Sequence, residues 1–270
     1  MIRNIKALCV ALAVALTLPA VASAQTPEAH GAAPGTPAPH GAAPATRGAH
    51  GAPATHAAPS AVNPDAAWAD LVAGNQRFRK GKPQAHRMTP ARFAELAKGQ
   101  HPKAIVLTCS DSRVPPELLF DQGVGEVFVI RLAGNVPAKA AIGSIEYAAE
   151  HLGSQLLVVL GHSKCGAVAA AATAATIDAQ SNLGCILADI EPAVATARKS
   201  GAKDEVDAAV HENAKLVAAT VVERSEVLQH LIHENKLKVV TAVYDLGSGA
   251  VRVEAPSAVP QHHEAPATVH

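Results

Sequence analysis

Two strings of this 270-residue chain hold side chains that can do chemistry: Cys109-Ser110-Asp111-Ser112-Arg113 and His162-Ser163-Lys164-Cys165-Gly166. Two thiols and one imidazole are three of the donors that zinc takes in a tetrahedral site, and a catalytic site keeps the fourth position for water or substrate. Asp111 and Arg113 stand two apart, so in an extended turn both can face one side. There they form a charge-assisted pair that depresses the carboxylate pKa. His162 and Cys165 stand three apart, a spacing that lets both clasp one ion where a strand turns into a helix. The helix N-terminus then favours the thiolate at Cys165. Each string alone is weak, since an Asp-Arg pair beside a Cys is also an ordinary surface ion pair. Their joint position at the ends of two apolar runs makes the signal specific. A Cys/His nucleophile pair is the rival reading, and it leaves the second thiol without a task. Iron–sulfur clusters normally take more thiolates, so the donor set favours zinc.

These residues need a scaffold. Short apolar runs over 104–108, 127–132, 156–160 and 239–244 have strand length and are bounded by Gly, Pro or Ser; 250–253 reads as a short edge strand. Helical spacing follows Pro64 through Trp68, Leu71, Val72 and Phe78, and recurs over 142–152, 165–175, 186–197 and 206–231. Strands alternating with helices predict an α/β fold: a single domain with a central, mostly parallel β-sheet covered by helices on both faces. Ligands in such folds bind beyond the C-terminal ends of strands, where both strings lie.

The flanks read differently. Arg3 and Lys6, the apolar stretch 7–21 and Ala22-Ser23-Ala24 predict a signal peptide over 1–24, hence an exported protein, periplasmic or secreted. The apolar stretch is too short for a comfortable membrane span. Residues 25–62 are Ala, Pro, Gly, His and Thr with a weak repeat (His30-Gly31-Ala32-Ala33-Pro34, His40-Gly41-Ala42-Ala43-Pro44), and predict a disordered tether. The folded domain is expected over 63–255 and a His-containing disordered tail over 256–270. The histidines of both flanks also allow weak zinc capture. Without the leader three Cys remain, an odd number that argues against a disulfide framework, and Cys185 is expected to be a small buried hydrophobe. Formal charge balances and aromatic residues are 3% of the chain, which excludes the usual signatures of nucleic-acid or membrane-surface binding.

Over roughly residues 65–254 the chain resembles the beta-class carbonic anhydrases. The resemblance rests on Cys109-Ser110-Asp111-Ser112-Arg113-Val114-Pro115 and Gly161-His162-Ser163-Lys164-Cys165-Gly166-Ala167, with support from Val129-Ile130-Arg131-Leu132-Ala133-Gly134-Asn135, Ser144-Ile145-Glu146-Tyr147-Ala148 and Ala242-Val243-Tyr244-Asp245-Leu246. It implies a zinc enzyme for the reversible hydration of carbon dioxide to bicarbonate, with Cys109, His162 and Cys165 as ligands. Asp111 would either ligate zinc in a closed state or pair with Arg113 in an open one, accepting a hydrogen bond from water at the metal. Gln100, Phe128, Tyr147 and Gly166 would contact substrate. The resemblance also implies a homodimer or multiple of dimers with active sites at subunit interfaces. Hydrolysis of carbon disulfide or carbonyl sulfide, an exported zinc buffer and an inactive interaction domain stay open at this point; the Asp111–Arg113 pair speaks against the buffer.

Overall fold

The computed structural model describes residues 62–84 and 89–254. The expected signal peptide, the expected tether apart from Val62, and the expected His-containing tail lie outside them. The described elements are helix α1 (Pro64–Arg79), α2 (Pro90–Leu96), strand β1 (Ala104–Thr108), α3 (Pro116–Leu119), β2 (Val127–Arg131), a single 3-10 turn (Ala133–Asn135), α4 (Lys139–Glu150), β3 (Leu156–His162), α5 (Gly166–Thr173), α6 (Asn182–Ser200), α7 (Glu205–Glu223), α8 (Glu226–His233), β4 (Lys238–Tyr244) and β5 (Val251–Val253).

The sheet runs β2-β1-β3-β4-β5, parallel throughout except for the antiparallel β5. From β1 the chain goes to β2 on one side, then returns to place β3 on the other. The crevice at such a reversal is where open α/β sheets bind ligands. β1 and β3 are completely buried, so they read as continuous apolar runs with alternate residues serving opposite faces. Ile105, Leu107, Leu157 and Val159 meet α4, α7 and α8. Ala104, Val106, Leu156, Val158 and Leu160 meet α1 and the Leu119–Phe120 corner. A third cluster, from α5, α6 and the first half of α7, closes over Cys109 and Cys165.

Local chemistry explains the boundaries. Asn63 caps α1 by accepting from the Asp65 and Ala66 N–H groups, and Pro64 supplies the first helical position. The helical pattern over 206–231 is two helices, not one. Ser225 interrupts it: its hydroxyl accepts from Leu228 N–H and donates to Glu146 at 2.5 Å, so it caps α8 and ties it to α4. β3 runs two residues beyond the apolar run because Gly161 and His162 pair with Val243 and Tyr244. Among the described residues no helix is long and apolar enough to cross a membrane.

Candidate metal centre

Cys109 follows the last residue of β1, His162 ends β3, and Cys165 caps α5 with extended backbone at φ −68° and ψ 120°. The ladder pairs Thr108 with Leu160, which brings the two strand ends side by side. As a result Cys109 Sγ, Cys165 Sγ and a ring nitrogen of His162 lie within 4.8 Å of one another, all buried. His162 Nδ1 donates to the Ser163 carbonyl at 3.0 Å, which leaves Nε2 with its lone pair free. Nε2 is buried and makes no hydrogen bond among the described residues. A buried ring nitrogen facing two thiols costs free energy unless something accepts its lone pair, so the donor set fits zinc.

The thiols point the same way. Cys109 is lowered from its ordinary value, first by its hydrogen bond with Cys165, against the opposing effect of burial, and further by the N–H groups of Asp111 and Gly134. Those N–H groups lie 3.4 and 3.3 Å from its sulfur. Cys165 is pushed up, first by that same contact with Cys109, then by burial and like charge. One thiolate forms readily; the second needs a cation between the two.

Asp111 is turned away from this cluster and into Arg113. The guanidinium donates from Nε to Oδ1 at 2.9 Å and from Nη2 to Oδ2 at 2.7 Å, and the Arg113 N–H adds a bond to Oδ1 at 2.9 Å. The Arg113 side-chain bond is the main reason the Asp111 carboxyl lies well below the usual carboxylate range. Of the two states implied for Asp111, this is the paired one; its Oδ2 stands 3.9 Å from His162 Nε2. Arg131 fixes the same loop from behind, donating to the Cys109 carbonyl at 3.0 Å and the Asp111 carbonyl at 2.5 Å.

The other expected substrate residues divide. Gly166 opens α5 directly after Cys165, exposed, with empty space where a Cβ would stand. Gln100, Phe128 and Tyr147 are not brought to the cluster within one chain. Phe128 pairs with Ile105, four residues before Cys109, so it sits about 13 Å back along the strands at about 3.3 Å per residue. Tyr147 on α4 packs near Phe128 with ring centres 6.5 Å apart, and Gln100 borders a surface hollow of about 410 Å³ with Leu96 and Val127. Cys185 is exposed, not buried: it faces outward in the first turn of α6, its thiol donating to the Asn182 carbonyl at 3.1 Å. Its Ala- and Leu-rich neighbours suggest burial, but the helix turns Gly184, Leu187 and Ile190 inward and leaves Cys185 outward with Leu183. Sequence reasoning missed the supporting roles of Arg131 and Gly134, whose strings were visible but whose partners were not.

The profile of the carbonic anhydrase family matches residues 104–251. Carbonic anhydrase 2 of Mycobacterium tuberculosis is 40% identical over 190 residues, covering 69% of this chain and 91% of its own. The carbonic anhydrase of Mycolicibacterium smegmatis is 38% identical over 197 residues, covering 72% of this chain and 94% of its own. Among solved structures, a tetrameric beta-carbonic anhydrase of Sordaria macrospora superposes with a TM-score of 0.56 at 27% identity, covering 69% of this chain and 95% of its own. The Coccomyxa beta-carbonic anhydrase in complex with acetazolamide gives 0.54 at 26% identity, covering 69% and 81%.

Proposed function

This chain belongs to the beta-class carbonic anhydrases, and from that membership we propose that it holds zinc through Cys109, His162 and Cys165 and catalyses the reversible hydration of carbon dioxide to bicarbonate and a proton. The observation that carries this reading is the meeting of two thiols and an unpartnered imidazole nitrogen beside a carboxylate gripped by an arginine. Zinc, when bound, supplies the Lewis acid that activates water at neutral pH. The rest falls to the chain's own residues. Arg113 keeps Asp111 ionised and turned from the ligand atoms, so Oδ2 is an acceptor poised beside the cluster. There it orients the attacking water by accepting its hydrogen bond. Gly166 leaves the mouth of the pocket unobstructed on the α5 side.

The assembly we propose is a dimer or a multiple of dimers. Gln100, Phe128 and Tyr147 lie far from their own chain's cluster, and β2, which carries Phe128, is an edge strand whose residues stay half-buried or exposed. A second copy docking along that edge would bring an apolar wall and an amide to the pocket. Export belongs to the same proposal, with the leader over 1–24, the domain over 63–255 and the His-bearing flanks on either side; it is supported by the charge and hydropathy pattern of the first residues. N-terminal sequencing of protein recovered outside the cytoplasm would begin at Gln25.

The test is stopped-flow proton release on mixing with dissolved carbon dioxide, paired with elemental analysis. One zinc per chain and rapid hydration are expected. A chain that carries zinc yet leaves carbon dioxide hydration at the buffer rate overturns the proposed activity.

A further inference from the structure

Asn213 lies on α7, 1% exposed, in the middle of the packed interior. Its Nδ2 donates to the Gly134 carbonyl at 2.9 Å, while its Oδ1 makes no hydrogen bond among the described residues. A buried amide left half-satisfied weakens a core, and an apolar side chain of similar volume would pack the same position better. Helix stability therefore does not account for the residue. The one hydrogen bond it makes does. Gly134 sits in left-handed backbone, φ 64° and ψ 18°, in the 3-10 turn after β2. With its carbonyl held by Asn213, its N–H points at Cys109 Sγ, 3.3 Å away. The carbonyl and the N–H lie in successive peptide planes joined through the φ and ψ of Gly134; the carbonyl's plane is held on both sides, by Asn213 and by the Asn135 N–H donating to the Leu132 carbonyl at 2.9 Å, and this restrains the turn that presents the N–H.

We infer that Asn213 is a positioning residue for the metal centre: through Gly134 it aims an N–H at the Cys109 sulfur and so sets how strongly that thiolate donates to zinc. Groups that hydrogen-bond a ligand atom from outside tune both metal affinity and the electronic character of the site. Such bonds to ligating sulfur also shift the properties of iron–sulfur centres. The inference rests on the zinc reading of the Cys109–His162–Cys165 pocket, and deepens it by naming a residue 104 positions from the first ligand.

The test compares wild type with Asn213→Leu, which fills the space without donating, and Asn213→Ala, which removes the donor without crowding its neighbours. Zinc affinity is measured by chelator competition, and the cobalt-substituted proteins are examined for their sulfur-to-metal charge-transfer band. Asn213→Leu is expected to fold with unchanged circular dichroism, to bind zinc about tenfold more weakly or worse, and to move the cobalt band. Asn213→Ala should behave likewise, so a leucine variant that fails to fold leaves the alanine variant to decide. Zinc affinity within twofold of wild type together with an unmoved band, in whichever variant folds, overturns the assignment to Asn213. A wild-type chain that takes up neither zinc nor cobalt overturns the zinc reading itself, a distinct result.

Discussion

Placing a single methyl group on Gly134 tests how tightly the turn over Cys109 is built. A Cβ there would stand 2.5 Å from Ile190 Cδ1 and 3.3 Å from Ala167 Cβ. Left-handed backbone costs alanine about 1–2 kcal/mol. Pushing the buried Ile190 methyl aside adds overpacking of about 1–3 kcal/mol. The stiffer unfolded chain returns about 0.4–1 kcal/mol. Gly134→Ala should therefore destabilise the zinc-loaded protein by about 1–5 kcal/mol on these terms, with the middle of each range giving about 3 kcal/mol. Ile190→Val removes the offending Cδ1 and alone should cost about 0.5–1.5 kcal/mol. In the double variant the new methyl occupies the space that Cδ1 leaves, so the overpacking vanishes while the backbone strain persists. Urea unfolding of the four proteins at a fixed, saturating zinc concentration closes the cycle. The double variant should be more stable than the sum of the singles implies, by about 1 kcal/mol or more, yet remain below wild type. Additivity within about 0.5 kcal/mol would mean that Ile190 does not confine Gly134, and the reasoning would be wrong.

Four further outcomes can be checked. Asp111→Asn should retain zinc by elemental analysis and lose turnover by about a hundredfold or more, the scale of an acceptor that positions a proton; full turnover with metal bound would remove the role given to Asp111. Cys109→Ala or His162→Ala should lose zinc and activity together after dialysis, since each removes one of three donors. Arg113→Ala should lose turnover while keeping metal, because the freed Asp111 turns to the cluster; a crystal structure with the carboxylate still facing away would contradict this. The pH dependence follows from the depressed Asp111 carboxyl. Its pairing contributes fully above the ordinary aspartate value near 3.9 and is lost only as pH falls through the lower folded value. Stopped-flow rates between about pH 5 and 8 should thus show no step that Asp111→Asn abolishes.

Much of the sheet was legible because buried parallel strands leave a plain trace: apolar runs such as Ile105-Val106-Leu107 and Leu156-Leu157-Val158-Val159-Leu160, cut off by polar or small residues. Short helices left little trace. α2 buries no residue and α3 is a single turn, so neither imposes a period on the chain. The break between α7 and α8 carries no Gly or Pro, and the capping hydroxyl of Ser225 was its one sign. The three donors were readable because each stands where an apolar run stops or a helix begins. Their supports were not. Asn213 meets Gly134 across 79 positions and Arg131 meets Cys109 across 22, and no local pattern announces a hydrogen bond of that reach. Gln100 precedes the run over 104–108 and Phe128 stands at the start of the run over 127–132, so their place at the end of the sheet opposite the donors was legible from the run boundaries, whereas Tyr147, on a helix, carried no such mark.

The register of β1 against β3 has an outcome for metal preference. Cys109 and His162 leave neighbouring strands whose spacing, about 4.8 Å, is set by backbone hydrogen bonding. The backbone separation of these two donors is therefore inherited from the sheet, and only side-chain length and rotamer are left to adjust the bite. Exchanging a thiol for another donor alters hardness and charge but not the gap to be spanned. A designer wanting a larger cation here would have to work on the His162–Cys165 turn, the part of the ring that the strands do not dictate.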